Sequence, residues 1–300
     1  KSITFQVPAL ILPGLTIVVT PLISLMKDQV DNLRLHNITA SCIHSGLSLH
    51  ERNLAIDRCR IGKAKLLYLS PEKLADDNFI EILRQIQLSL IVVDEAHCIS
   101  QWGYDFRPSY LRIARLREIF PHLPVLALTA SATPRVVDDI RSSLRLRGNH
   151  TFARSFDRDN LSYIVRHTDD KDSQLFRILK GVGGTAIVYV RSRRRAVEIA
   201  RTLADEDISA SFYHAGLSAE EKNERQNLWK QGDIRVIVAT NAFGMGIDKP
   251  DVRAVIHYDL PSSLEEYYQE AGRAGRDGLP SYAVTLVGPS DKATLSRRLS

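Results

Sequence analysis

Short unbroken runs of Val, Ile and Leu recur along this chain, each followed by a stretch with helical periodicity. Residues 15–20 read LTIVVT, and similar runs occupy 65–69, 88–93 and 125–129. A strand that is apolar at every position has no face to offer water, so both of its faces must be covered. With helices between the strands, the economical solution is a parallel sheet with helices on both sides. A one-sided antiparallel sheet would show alternation, which these runs lack.

The pattern then restarts. Runs at 185–190 (TAIVYV), 210–214, 235–240 (RVIVAT), 254–258 and 282–287 predict a second set of strands. Helices are predicted over 27–36 and Arg193–Asp205, and Ser218 with Glu221 has the spacing of a capping box. The polar segment 145–160 has no apolar period, which places a boundary there and divides the chain into 1–148 and 149–300. At 300 residues each half is long enough for its own core. The expected class is α/β, two lobes, each a mostly parallel sheet with helices on both faces. The halves share a pattern rather than residues, so no internal repeat is expected.

Composition narrows the functions little. Charged residues are 25% of the chain and the net charge of +5 is compatible with a polyanionic partner without requiring one. No apolar run has the length of roughly 18–20 residues that spans a bilayer, and no signal-peptide pattern opens the chain. A cytoplasmic location (the nucleoid of a bacterium), or a nuclear one in a eukaryote, is the default expectation, with no membrane partner. Cys42, Cys59 and Cys98 form no C-x-x-C pair, so buried thiols are expected and no zinc site.

Three segments carry chemistry. Asp94 and Glu95 follow the strand run ending at Val93. Carboxylates at the C-terminal end of a parallel strand sit where such sheets bind ligands: Asp94 suits Mg²⁺ beside nucleotide phosphates, and Glu95 suits orienting or deprotonating a water. Taken alone, the dipeptide is also what a solvated strand end looks like, which is the more common case. Lys1-Ser2 has the form of the end of a P-loop, lysine for the phosphates and hydroxyl for Mg²⁺, although such a dipeptide is common. Gln269-Glu-Ala-Gly-Arg273-Ala-Gly-Arg276 puts two arginines three apart on a helix, where they share a face. Arginines of that kind neutralise charge on a transferred phosphoryl group, and a basic helix end before a Gly-rich turn has the same sequence. Beside the acids lies SQWGYDFRP, in which Trp102, Tyr104 and Phe106 surround Arg107. Such rings stack on bases of any identity, or pack in a core.

In order along the chain these segments resemble the helicases of superfamily 2, and within it the RecQ family. Lys1-Ser2 resembles the end of motif I, TPLISLMKDQV from Thr20 motif Ia, and Ser70-Pro-Glu motif Ib. Asp94-Glu-Ala-His97 resembles motif II, LTASA from Leu128 motif III, and residues 186–193 motif IV. VATNAFGMGIDKP from Val238 resembles motif V, and residues 269–276 motif VI. The aromatic-rich loop after motif II resembles the mark of the RecQ family in particular. The resemblance covers essentially the whole chain. Tyr104 departs from the family's usual His, Ser131 from a Thr and Val190 from a frequent Cys.

The resemblance implies an ATP-dependent DNA helicase core with two RecA-like lobes, moving 3′ to 5′ on single-stranded or partly duplex DNA. It implies ATP and Mg²⁺ as cofactors, held by Lys1, Ser2, Asp94, Gly246 and Asp248, with Glu95, Gln269, Arg273 and Arg276 in the catalytic set. It implies DNA contact or coupling through Thr20, Pro21, Ser70, His97, Gln101, Trp102, Phe106, Arg107 and Thr240. The glycines of motif I and the adenine-reading glutamine motif would lie upstream of Lys1. The zinc-binding and winged-helix modules of many relatives would lie downstream of Ser300. A DEAH-type RNA helicase, or a non-hydrolysing nucleic-acid-binding fragment, are the alternatives.

Overall fold

The apolar runs form two parallel sheets in a computed structural model that describes residues 2–103, 105–148, 150–155, 157–244 and 249–291. The chain divides into two units, Lys1–Phe152 and Ala153–Ser300.

The first unit runs α1 (Ser2–Ile11), β1 (Leu15–Val19), α2 (Ile23–Leu35), β2 (Ala40–Ile43), α3 (Leu49–Arg60), β3 (Leu66–Leu69), α4 (Asp77–Arg84), β4 (Leu88–Val93), α5 (Ile113–Ile119), β5 (Val125–Ala127), α6 (Pro134–Ser143). Its sheet has the order β2-β3-β1-β4-β5 with every pairing parallel. Successive strand residues point to opposite faces, and both faces are buried. Val18, Tyr68 and Val92 meet Phe5 and Ala9 of α1 and Met26 and Val30 of α2. Ile17, Leu67, Ile91 and Val93 meet Ile56, Leu83, Leu116 and Ile140 from α3 to α6. Each such aliphatic side chain contributes about 1.5–3 kcal/mol on burial.

The second unit runs β6 (Leu161–His167), α7 (Lys171–Gly181), β7 (Thr185–Tyr189), α8 (Arg193–Asp205), β8 (Ala210–Tyr213), α9 (Ala219–Gln231), β9 (Val236–Ala239), β10 (Val252–His257), α10 (Leu264–Ala271), β11 (Ser281–Val287). Its sheet, also parallel throughout, has the order β6-β11-β10-β7-β9-β8. Leu175 of α7 and Ile199 of α8 cover one face, and Trp229 of α9 and Ala271 of α10 the other.

Sequence reading finds most of these elements and misses two strands. β2 reads ASCI, too short and too polar at Ser41 and Cys42 to register as an apolar run. β6 is an edge strand, exposed along most of its length, so its sequence carries no burial pattern. Helix α2 begins at Ile23, earlier than the predicted residue 27, because the chain turns directly out of Pro21-Leu22. The capping box at Ser218 and Glu221 is present, and a second joins Ser48 to Glu51.

The expectation of no internal repeat is overturned. The units β1-α2-β2-α3-β3 and β7-α8-β8-α9-β9 match at a constant offset with no residue inserted or deleted between them: Ile23–Leu35 against Arg193–Asp205, Ala40–Ile43 against Ala210–Tyr213, Leu66–Leu69 against Val236–Ala239. The left-handed backbone positions coincide as well: Gly14 with Gly184, Asn37 with Asp207, Gly62 with Gly232. So do residues, since His44, Gly46, Leu47, Ser48 and Glu51 stand opposite His214, Gly216, Leu217, Ser218 and Glu221. Core identities also recur, Ile17 with Ile187, Val18 with Val188 and Leu33 with Leu203, but they are scattered among apolar residues exchanged for one another, which hides the repeat.

Candidate functional site

In the first lobe the functional residues gather at the C-terminal edge of the sheet, where backbone bonds hold the strand ends side by side. Thr20 N–H donates to the Leu69 carbonyl (3.1 Å), Asp94 N–H to Val19 (2.9 Å) and Leu128 N–H to Val93 (2.8 Å). This brings together Thr20, Ser70, Asp94 and the motif III segment. The Thr20 hydroxyl is buried with no hydrogen-bond partner among the described residues, so a polar group stands ready there. Ser70 precedes a short 3₁₀ turn (Pro71–Ala75) but its hydroxyl does not cap it.

The acids differ in how they are held. The Asp94 carboxylate accepts the N–H of Glu95 at 3.0 Å, and the Asp94 carbonyl accepts the Tyr110 hydroxyl at 3.0 Å. Burial pushes the Tyr110 phenol far above its usual range, so it stays a donor. Glu95 has φ 47° and ψ 46°, left-handed for a residue with a Cβ. That costs about 1–2 kcal/mol and re-aims the carboxylate. Glu95 Oε2 lies 3.5 Å from Nδ1 of His97, whose ring is fully buried. His97 Nδ1 is 3.0 Å from the Thr129 hydroxyl, which donates to the Ser131 carbonyl (3.2 Å).

The aromatic-rich loop closes directly over this histidine. Arg107 N–H donates to the Cys98 carbonyl at 2.9 Å. A Cβ on Gly103 would lie 2.3 Å from the His97 carbonyl oxygen, so only glycine permits the approach. Ser100 donates to Asp139 of α6 (2.5 Å) and accepts the Trp102 N–H. Arg107 is paired with Asp105 (2.9 Å) and donates to the Pro21 carbonyl (3.3 Å), tying the loop to motif Ia. Burial works against the Arg107 charge, but Asp105 more than offsets it and holds its pKa above the ordinary value. Gln101 is exposed and Phe106 half-buried. Trp102 is 59% exposed, with the Arg135 guanidinium 3.4 Å from its ring centre. Tyr104 lies outside the described residues.

Ser2 opens α1, whose free N–H groups and positive dipole end favour an anion. Burial raises the pKa of Tyr68, with a further push from the nearby Asp94 charge, while the neighbouring Gln6 of α1 opposes it. Hydroxyl, carboxylate and helix N-terminus are the oxygen donors and the anion cradle that magnesium and phosphate require, so the residues present fit Mg²⁺·ATP. Lys1, Gly246 and Asp248 lie outside the described residues.

In the second lobe Thr240 is buried at the end of β9, with its N–H on the Tyr213 carbonyl (3.1 Å). Gln269 is half-buried on α10. The expectation that Arg273 and Arg276 share a helix face is corrected: α10 ends at Ala271 and both arginines lie in the turn beyond it. Gly275, at φ 58°, turns the chain so that its N–H reaches the Val252 carbonyl (2.8 Å). The two arginines separate as a result, Arg273 being 7% exposed while Arg276 is open to solvent. One pair escaped sequence reasoning altogether. His257 Nε2 lies 3.0 Å from Glu270 Oε2, both side chains buried. Burial raises the Glu270 pKa, opposed by the bond to His257.

Residues 1–140 match the DEAD/DEAH box helicase family and residues 170–278 the helicase conserved C-terminal domain. Over 300 residues the chain is 44% identical to the ATP-dependent DNA helicase RecQ of Pasteurella multocida, covering 100% of this chain and 48% of that protein. The chain belongs to the RecQ family. A second RecQ, from Bacillus subtilis, is 45% identical over 97% of this chain and 50% of its own length. The RecQ-like DNA helicase blm-1 of Caenorhabditis elegans is 42% identical over 100% of this chain and 32% of its own length. The chain thus spans about half the length of the bacterial RecQ relatives it matches. In fold it is similar to the helicase MrfA bound to DNA, at TM-score 0.74 and 18% identity over 99% of this chain and 43% of that one. It is also similar to a point variant of Saccharomyces cerevisiae Dbp5 bound to RNA and ADP BeF3, at TM-score 0.71 and 17% identity over 100% of this chain and 79% of that one. The two parallel-sheet lobes are therefore RecA-like helicase lobes of the RecQ family. No helix among the described residues is long and apolar enough to cross a membrane.

Proposed function

We propose that this RecQ-family chain is the core of an ATP-dependent 3′–5′ DNA helicase, coupling ATP hydrolysis to movement on single-stranded DNA and to duplex unwinding. The observation that carries this reading is the contact of the aromatic-rich loop with motif II: Gly103 lies on the carbonyl of His97, and His97 lies between Glu95 and Thr129. A sensor for bases adjoins the residue that activates water.

Lys1, Ser2, Asp94, Gly246 and Asp248 hold ATP and its metal, with Ser2 and Asp94 as the Mg²⁺ ligands. Bound Mg²⁺ supplies charge neutralisation on the phosphates. Glu95 orients the attacking water and accepts its proton. Gln269, Arg273 and Arg276 are the second lobe's share, Arg276 offering charge and Gln269 a polar contact. Thr20, Pro21, Ser70 and Thr240 contact the DNA backbone, which predicts strong salt dependence and little sequence preference. Gln101, Trp102, Phe106 and Arg107 meet the bases, each stacked ring being worth about 1–3 kcal/mol. Partners are single-stranded and partly duplex DNA, and the location is cytoplasmic in a bacterium or nuclear in a eukaryote.

The test is ATP turnover measured alone, with single-stranded DNA and with RNA, beside Glu95→Gln. DNA-stimulated turnover that the substitution abolishes is expected. Stronger stimulation by RNA would point to an RNA helicase, and nucleic-acid binding without turnover would overturn the enzyme reading.

A further inference from the structure

The second lobe contains a buried network that the reaction as described does not use. Glu270 stands between Gln269 and Arg273 in the chain, but its carboxylate turns inward to His257, the last residue of β10, at 3.0 Å. His257 is fully buried and stacks on Tyr189, the last residue of β7, with ring centres 5.7 Å apart and planes 19° apart. Tyr267, one turn earlier on α10, packs on the same imidazole at 5.0 Å. The Tyr189 hydroxyl donates to the Phe243 carbonyl in motif V at 2.8 Å. Burial pushes the Tyr189 phenol above its usual range, and the charge of the neighbouring Arg273 opposes that push. A Cβ on Gly244 would come 3.7 Å from the Arg273 guanidinium, so the arginine lies beside the motif V turn.

A buried carboxylate without a partner is costly, which makes this pair hard to break and sharp in geometry. Glu270 is on the last turn of α10, immediately before the turn that carries both arginines. Its bond to β10 therefore fixes where that turn begins. Tyr189, on the far side of the same imidazole, fixes Phe243. One histidine ring thus references motif VI and motif V to each other across two strand ends.

We propose that Glu270 and His257 are positioning residues that set Arg273 and Arg276 of motif VI against motif V, through the Tyr189 ring. In its effect on turnover this rests on the ATPase reading above. The pair acts through the residues it holds, since His257 is fully buried and Glu270 bonds to it. Its loss is expected to lower kcat rather than raise KM, because a displaced charge weakens the transition state more than ground-state binding.

The test compares the parent chain with Glu270→Ala, Glu270→Gln and His257→Ala, each first checked for cooperative thermal unfolding. Two readouts are taken: kcat and KM for ATP with saturating single-stranded DNA, and backbone hydrogen exchange of residues 241–244 and 269–276. The expected result for Glu270→Ala is a kcat lowered by about 10-fold or more with KM changed less than about 3-fold. Faster exchange is expected in both segments. Glu270→Gln, which keeps a hydrogen bond to the imidazole, is expected to recover most of both. Faster exchange confined to 269–276, or a folded Glu270→Ala chain with unchanged kcat, would overturn the proposal. If the parent chain shows no turnover, the ATPase reading fails while the exchange comparison still decides the role of the pair.

Discussion

Each lobe sets a histidine against a glutamate near the end of the strand that flanks its first repeated strand, and the two pairs are built differently. In the first lobe His97 and Glu95 are 3.5 Å apart, Glu95 has a strained backbone, and its side chain is half-buried. In the second His257 and Glu270 are 3.0 Å apart, the glutamate comes from a regular helix, and its side chain is 9% exposed. The Asp94 carboxylate accepts the adjacent backbone N–H of Glu95 at 3.0 Å, and Asp259 accepts the Arg191 N–H at 2.9 Å and is paired with Arg195 at 3.3 Å. Glu95 is thus half-buried on a left-handed backbone, whereas Glu270 is buried on a regular helix and held at hydrogen-bond distance. The repeated frame β1–β3 and β7–β9 makes the comparison fair, since the two strand ends belong to the same architecture.

That contrast can be broken by substitution. The largest effect is expected at Glu95→Gln, which removes the proton acceptor and should cut turnover by about 10²–10⁴-fold with the fold intact; a smaller loss than in Glu270→Ala would invert the assignment. His97→Ala comes next. It should uncouple motif II from Thr129, lowering DNA-stimulated kcat by about 10-fold, read from turnover at saturating DNA. Gly103→Ala forces a methyl against the His97 carbonyl and should cost about 1–3 kcal/mol of stability, measured by chemical denaturation. The smallest effect tests the repeat itself. Ser48→Ala and Ser218→Ala each remove an equivalent helix cap and should each cost about 1 kcal/mol. A cost at one site alone would mean the two turns are not equivalent.

The parts legible in the sequence are those set by local periodicity. Leu88–Val93 is a strand over its predicted length because Leu90–Val93 is an apolar run buried on both sides, as a central parallel strand requires. Arg193–Asp205 is a helix because Ala196, Ile199, Ala200 and Leu203 make one buried stripe. Asp94 and Glu95 follow from the strand end. What stayed hidden depends on distant packing. Nothing local in Gln269-Glu270 says that the second residue turns inward to meet His257. The end of α10 before Arg273 depends on Gly275 being held by Val252, Asn160 and Arg158 from other elements. The repeat was hidden because its shared residues, in the core as well as at the turns, are spread thinly among positions where the two halves differ.

We propose that the aromatic-rich loop acts on motif II through His97, on whose carbonyl Gly103 packs. The measurement that tests it most directly is the ratio of ATP turnover with and without single-stranded DNA in the Trp102→Ala, Phe106→Ala double variant, beside the parent. The account predicts a ratio that falls towards unity. A ratio equal to the parent's would contradict it and reduce the loop to packing.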